Sequence, residues 1–374
     1  MNALNNLPYP AQTTLFDVVP TKDLLALRVV SKETLLDLNQ YTSTTFALPN
    51  IYGHFFTPNQ QPVIRTKLAH AGGLISGPAV FDMFRRQSAE PQRIDIYAPE
   101  NTIPAIGQAI KEMDYTYQPL PSKVKNRWNY DKQLPVFEDA VRCEFSKWCP
   151  NTGDIDSFCD DSTVAGVFTF ANKKEKEIRL IATRTEPVEV ILSFHSTHLM
   201  NFATATEYVS LYPKSTFLDK RALVLETPTT AMQGIYDQCG KEGWTTTNSL
   251  TAEEVLRRDD ELSLQTRWVG DSHCWIIKLA QLKDFNQEEA QYHALWVASW
   301  HLSCPGANRI QISFHRLEDK RLANPYILTW EAEKAVWAHP CFRALEDAIV
   351  TGGIADNDHQ MEGSNGDSDS DHDR

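Results

Sequence analysis

The sequence predicts an α+β protein: a mixed sheet flanked by helices, preceded by a short helical module and followed by a helical C-terminal part and an acidic tail. Three observations carry that expectation. Segments such as Arg93–Tyr97 and Glu177–Thr183 alternate or run apolar over strand lengths. Other segments place apolar residues three and four apart, often behind a proline that suits a first helical turn. From Asp356 to Arg374 there are seven acids against one base and almost no large apolar residue, a composition that favours disorder.

Taken in order, residues 1–55 read as a helical module. Thr21-Lys22-Asp23 offers a cap and a first-turn acid before the apolar face of Leu24, Leu27 and Val30, with Leu25 and Val29 alongside, and Glu33–Leu38 follows as a second helix. Residues 56–217 mix helix and strand. Pro78 opens a helix carrying Val80, Met83 and Phe84; Arg93–Tyr97 is a strand; Ile103–Met113 is a helix. Val164–Phe170 and Glu177–Thr183 form a hairpin about the charged turn Lys173–Lys176, and residues 119–163 read as a surface insertion. Pro187 starts a helix ending near Ser193, with a strand expected over Phe194–Asn201. Residues 218–353 form an α-rich part, with helices at Thr229–Lys241, Ala252–Arg258, Glu288–Leu302 and Thr329–Val350 and strands at Cys274–Leu279 and Arg309–His315. Residues 354–374 are the tail.

The chain of 374 residues is 42% apolar and 23% charged, with a net charge of −13, of which the tail carries −6. Such a balance argues against non-specific binding to nucleic acid or anionic lipid, both of which need clustered positive charge. The seven cysteines are scattered, and no pair has the close spacing of a zinc knuckle. They read as reduced thiols, and with no secretory signal or membrane-length apolar run in view, the expectation is an intracellular protein of cytoplasm or nucleus.

The first chemical candidate is Ser76-Gly77 at a helix start, with Asp95 on a following strand. A small-residue turn lets backbone approach phosphate, and a carboxylate beside it could hold magnesium. Leu74–Phe84, Arg93–Tyr97, Ile191–Asn201, Leu211–Phe217 and Val269–Trp275, in that order over about residues 60–300, together resemble a fungal family of nucleotidyltransferase-like proteins with the polymerase-β-type fold. That resemblance implies two acids two apart on a strand and a third acid on a later strand, holding two metal ions. This chain departs from the pattern. Arg93 stands at the first acid position, only Asp95 remains of the pair, the third acid falls near His195, and the expected serine after Gly77 is Pro78. A guanidinium cannot ligate a cation, so the site reads as vestigial: Ser76, Gly77, Arg93, Asp95 and His195, with no cofactor. Magnesium enters only under the alternative, a divergent nucleotidyltransferase using Asp95.

His195 and His198 are three apart and read as core or hydrogen-bonded histidines, since on a strand they would face opposite sides. Ser196 lacks a nucleophile elbow. In the N-terminal module, Leu7-Pro8, then Val19-Pro20, then Leu24, Leu25, Leu27 and Val30 resemble an F-box, although Pro10 stands where an acidic residue is usual. The resemblance implies docking on the adaptor subunit of an SCF-type ubiquitin ligase, with an unidentified protein as target. In the tail, Ser364, Ser368 and Ser370 each precede an acid by three residues, a pattern similar to acidophilic kinase sites.

Overall fold

Proline and hydroxyl caps set the first boundaries in the computed structural model. It describes residues 7–19, 21–42, 51–86, 90–119, 136–142, 163–226, 230–257, 260–279, 298–306, 309–317 and 326–338. Helix α1 (Tyr9–Val18) starts behind Pro8 with Pro10 in its first turn, where the missing N–H is not needed. After α2 (Thr21–Leu27), the Ser31 hydroxyl caps α3 (Lys32–Tyr41) by accepting from the Thr34 N–H at 3.1 Å. The middle of the chain runs α4 (Ile51–Phe55), α5 (Gln60–Ala71), β1 (Leu74–Ser76), α6 (Pro78–Phe84), β2 (Arg93–Pro99), α7 (Ile103–Glu112), β3 (Thr116–Gln118), α8 (Phe137–Arg142), β4 (Val164–Ala171), β5 (Glu177–Thr183) and α9 (Pro187–Leu192). Then come β6 (Asn201–Ala203), β7 (Glu207–Ser210), β8 (Arg221–Leu223), α10 (Thr230–Lys241), β9 (Thr245–Thr247), α11 (Ala252–Leu256), β10 (Arg267–Trp268) and β11 (Trp275–Lys278). The described elements end with β12 (Ser299–Gly306), β13 (Arg309–Ser313), β14 (His315–Leu317), β15 (Tyr326–Leu328) and α12 (Trp330–Ala338).

Eight strands form one mixed sheet in the order β11-β7-β6-β1-β2-β5-β4-β3. At its centre β1 is antiparallel to β2, and β2 is parallel to β5. Alternation along β2 and β5 sends Ile94, Ile96, Ile178 and Leu180 into one core and Tyr97 and Ile181 into another. Apolar layers therefore cover both faces, which is why these central strands are apolar almost throughout. Asp95 and Arg179 lie on the Tyr97–Ile181 face.

The chain divides into two compact units, residues 1–329 and 330–374, and the described part of the second is α12. Within the first unit, Arg267 is 2% exposed and lies 5.1 and 5.7 Å from the ring centres of Tyr212 and Trp300. It pairs with Asp271 and donates to the carbonyls of Glu261 and Leu211, both at 2.9 Å. No helix among the described residues is long and apolar enough to cross a membrane.

Several sequence expectations need correction. The strand expected over Phe194–Asn201 is instead a 3-10 turn, Thr197–Leu199, and the strand begins at Asn201. The helix expected over Glu288–Leu302 gives way to strand β12 from Ser299, where the buried Trp300 and Leu302 alternate with Ser299 and His301. Residues 288–297 of that stretch lie outside the described residues. The described residues of 218–353 hold eight strands beside three helices, so among the described residues this part has more strand than expected. Within the expected surface insertion, α8 packs inward. Phe137 is 3% exposed, and a Cβ at Gly107 would collide with its ring, so α7 needs glycine there.

Candidate functional site

Antiparallel pairing sets Ser76 opposite Asp95, and the parallel register of β2 with β5 sets Asp95 opposite Arg179. Gly77 lies beside the carboxylate: a Cβ added there would stand 2.9 Å from Asp95 Oδ2. With φ at +86°, this position favours glycine for conformational as well as steric reasons. Ser76 is fully buried, and its hydroxyl donates to the Asn201 carbonyl at 2.6 Å, so it turns away from the carboxylate.

Arg179 grips Asp95 with a two-pronged bond, Nε to Oδ1 at 2.7 Å and Nη2 to Oδ2 at 2.6 Å. Arg93 Nε stands 3.4 Å from Oδ1. The Asp95 and Arg179 side chains are 4% and 9% exposed. Burial opposes the charge on Arg179, but the hydrogen-bonded Asp95 outweighs it and holds the guanidinium above its ordinary pKa. One carboxylate thus faces two guanidiniums.

This arrangement does not fit a divalent ion. Magnesium binds through carboxylate oxygens, and both oxygens of Asp95 are already taken by a permanent cation. Among the described residues no group of three or more His, Cys, Asp or Glu could hold a metal. Of the residues singled out from sequence, Ser76, Gly77, Arg93 and Asp95 come together. The residue facing Asp95 from the next strand is Arg179, which sequence reasoning did not single out. Its segment is legible as a strand, but the register that brings it to Asp95 is not a local property.

His195 belongs to another cluster. Its Nδ1 lies 2.5 Å from the Tyr236 hydroxyl, and its carbonyl accepts from the Leu225 N–H. His198 is 1% exposed, with Nδ1 2.8 Å from Ser196 Oγ. The Ser196 hydroxyl has a single proton, which it donates to the Leu223 carbonyl at 3.0 Å. His198 Nδ1 must therefore carry a proton and donate it, leaving Nε2 facing Cys239 Sγ at 3.7 Å. The order thiol, imidazole, hydroxyl mimics an activated nucleophile. Its electrostatics do not. Burial raises the Cys239 thiol and pushes His198 down to about 3, so the pair rests as neutral thiol and weakly basic imidazole. Both histidines are buried, His195 meeting Tyr236 through Nδ1 and His198 meeting Ser196 and Cys239 through its two ring nitrogens.

The F-box-like residues divide between two environments. Leu24 is fully buried in the chain's own core, and Leu27 is half-buried against it. Leu7 and Val30 are 41% and 55% exposed, and Pro8 is exposed at the start of α1. Pro20 and the Leu25 side chain lie outside the described residues. No family model, curated protein or solved structure matches this chain.

Proposed function

We propose that this chain is a non-catalytic protein-recognition protein, an F-box-type adaptor whose nucleotidyltransferase-like domain has no metal chemistry. The observation that carries this reading is the Arg179–Asp95–Arg93 cluster. A carboxylate held by a buried two-pronged guanidinium, with a second guanidinium beside it, is already neutralised, and the cluster presents net positive charge to an approaching magnesium ion. The N-terminal module supplies the second support. Leu7, Leu15, Val18, Val29, Val30 and Leu36 are all exposed within thirty residues, aliphatic surface that a docking partner would cover. The partner proposed is the adaptor subunit of an SCF-type ligase, with an unidentified protein as target.

The test has two arms. Purified chain is mixed with labelled nucleoside triphosphates and magnesium or manganese, and no transfer is expected. A pull-down is expected to recover the SCF adaptor, and Val29→Asp with Val30→Asp is expected to abolish recovery. Failure to recover the adaptor while a control F-box protein does so defeats the adaptor role.

One observation favours a rival reading, a divergent metal-dependent nucleotidyltransferase using Asp95. Gly77, the glycine that the resemblance expects at the helix start, stands against the Asp95 carboxylate. Metal-dependent transfer that disappears in Asp95→Ala would establish the rival and overturn the non-catalytic reading.

A further inference from the structure

Arg86 follows α6 with a φ of +56°, a left-handed conformation uncommon for a residue with a side chain. Strain of this kind persists where the surroundings require it, and here the requirement is visible. The guanidinium reaches across to the N-terminal module. Nη1 donates to the carbonyls of Phe16 at 3.0 Å and Val19 at 2.6 Å, and Nη2 donates to the Asp17 carbonyl at 2.7 Å. Nη2 also lies 3.1 Å from the Tyr41 hydroxyl, which donates to Asp17 Oδ1 at 2.8 Å.

These acceptors share a chemical need. The last carbonyls of a helix have no partner within it, and α1 has no basic residue in its last turn. Arg86, from sixty-seven residues further along the chain, provides that cap and joins it to Tyr41 at the end of α3. Helices of 10, 7 and 10 residues are too short to persist alone, so α1–α3 depend on contacts with one another and with the rest of the chain. Phe16, Leu24, Leu38 and Tyr41 supply the apolar part of those contacts.

We infer that Arg86 is a latch: it holds α1 and α3 against the sheet-bearing part of the chain as a unit that opens without the sheet unfolding. The latch fixes the direction in which the exposed aliphatic residues of these two helices, among them Leu15, Val18 and Leu36, point. This inference extends the proposed docking role, but its test does not depend on any partner binding.

The test is hydrogen exchange on the full chain, without ligand, at increasing sub-denaturing urea. In the wild type, the amides of α1 and α3 are expected to open together and at lower urea than those of β2 and β5. In Arg86→Met, which keeps the aliphatic stem and loses the donors, exchange of α1 and α3 is expected to rise at least tenfold, with β2 and β5 unchanged. Arg86→Lys is expected to resemble Arg86→Met, because one ammonium cannot serve three carbonyls and a hydroxyl with the geometry of a planar fork. Two results overturn the latch: wild-type α1 and α3 amides that exchange only when β2 and β5 do, or unchanged α1 and α3 protection in Arg86→Met. The wild-type measurement decides the matter even if a variant does not fold. Failure to capture an SCF adaptor leaves these outcomes unaffected, so the two proposals fail separately.

Discussion

Replacing Asp95 with asparagine removes one charge and keeps the shape of the side chain. Arg179 would remain 9% exposed without the carboxylate that both its prongs hold. Breaking a buried ion pair by removing one partner costs about 3–5 kcal/mol, because the surviving charge stays desolvated. Asp95→Asn is therefore expected to lose about that much unfolding free energy, read as a fall in the urea midpoint at unchanged slope. The sign also distinguishes the two readings of the site. In a metal site with clustered carboxylates, removing one acid relieves repulsion and stabilises the metal-free protein. In the ion-paired cluster, the same change destabilises. Asp95→Asn combined with Arg179→Met should recover part of the loss, since neither charge then remains uncompensated. That non-additivity is the signature of direct coupling. A loss below about 1 kcal/mol for Asp95→Asn, or any stabilisation, would refute the claim that a guanidinium replaces metal at Asp95.

Two further outcomes follow from other buried groups. Arg267→Lys keeps the charge but loses the fork that binds Asp271 and two carbonyls between the Tyr212 and Trp300 rings; a loss of about 3 kcal/mol is expected in urea unfolding, and a neutral result would contradict the packing described. Burial lowers His195 to about 4 and His198 to about 3, so both should stay neutral between pH 7.5 and 5 while exposed histidines titrate in NMR spectra; a midpoint near 6.5 for either would refute its burial. Because these folded-state values lie below the unfolded one, the stability they contribute is present above about pH 6.5 and is lost as pH falls toward 4 and 3. Glu261, pushed up to about 7 by burial, acts in the opposite direction: it favours the folded state as pH drops from about 7 to 4.5, which is why the histidines are best followed individually.

Local chemistry made the central elements legible. Pro78 and Pro187 marked helix starts, and the apolar runs at Val164–Phe170 and Glu177–Thr183 gave the hairpin. Strand β12 was missed because alternating apolar and polar residues from Ser299 follow directly on an apolar run that reads equally well as helix. Tertiary structure alone decided what Asp95 faces. Parallel register places Arg179 eighty-four residues away in sequence and 2.6 Å away in space, and no local pattern encodes that alignment. The same holds for the cap of α1: its carbonyls announce that a donor is needed, but only the folded chain determines that Arg86 supplies it. Propensity and periodicity act over one or two turns of chain, whereas ion pairs and caps are satisfied by whatever the packing of distant elements brings within reach.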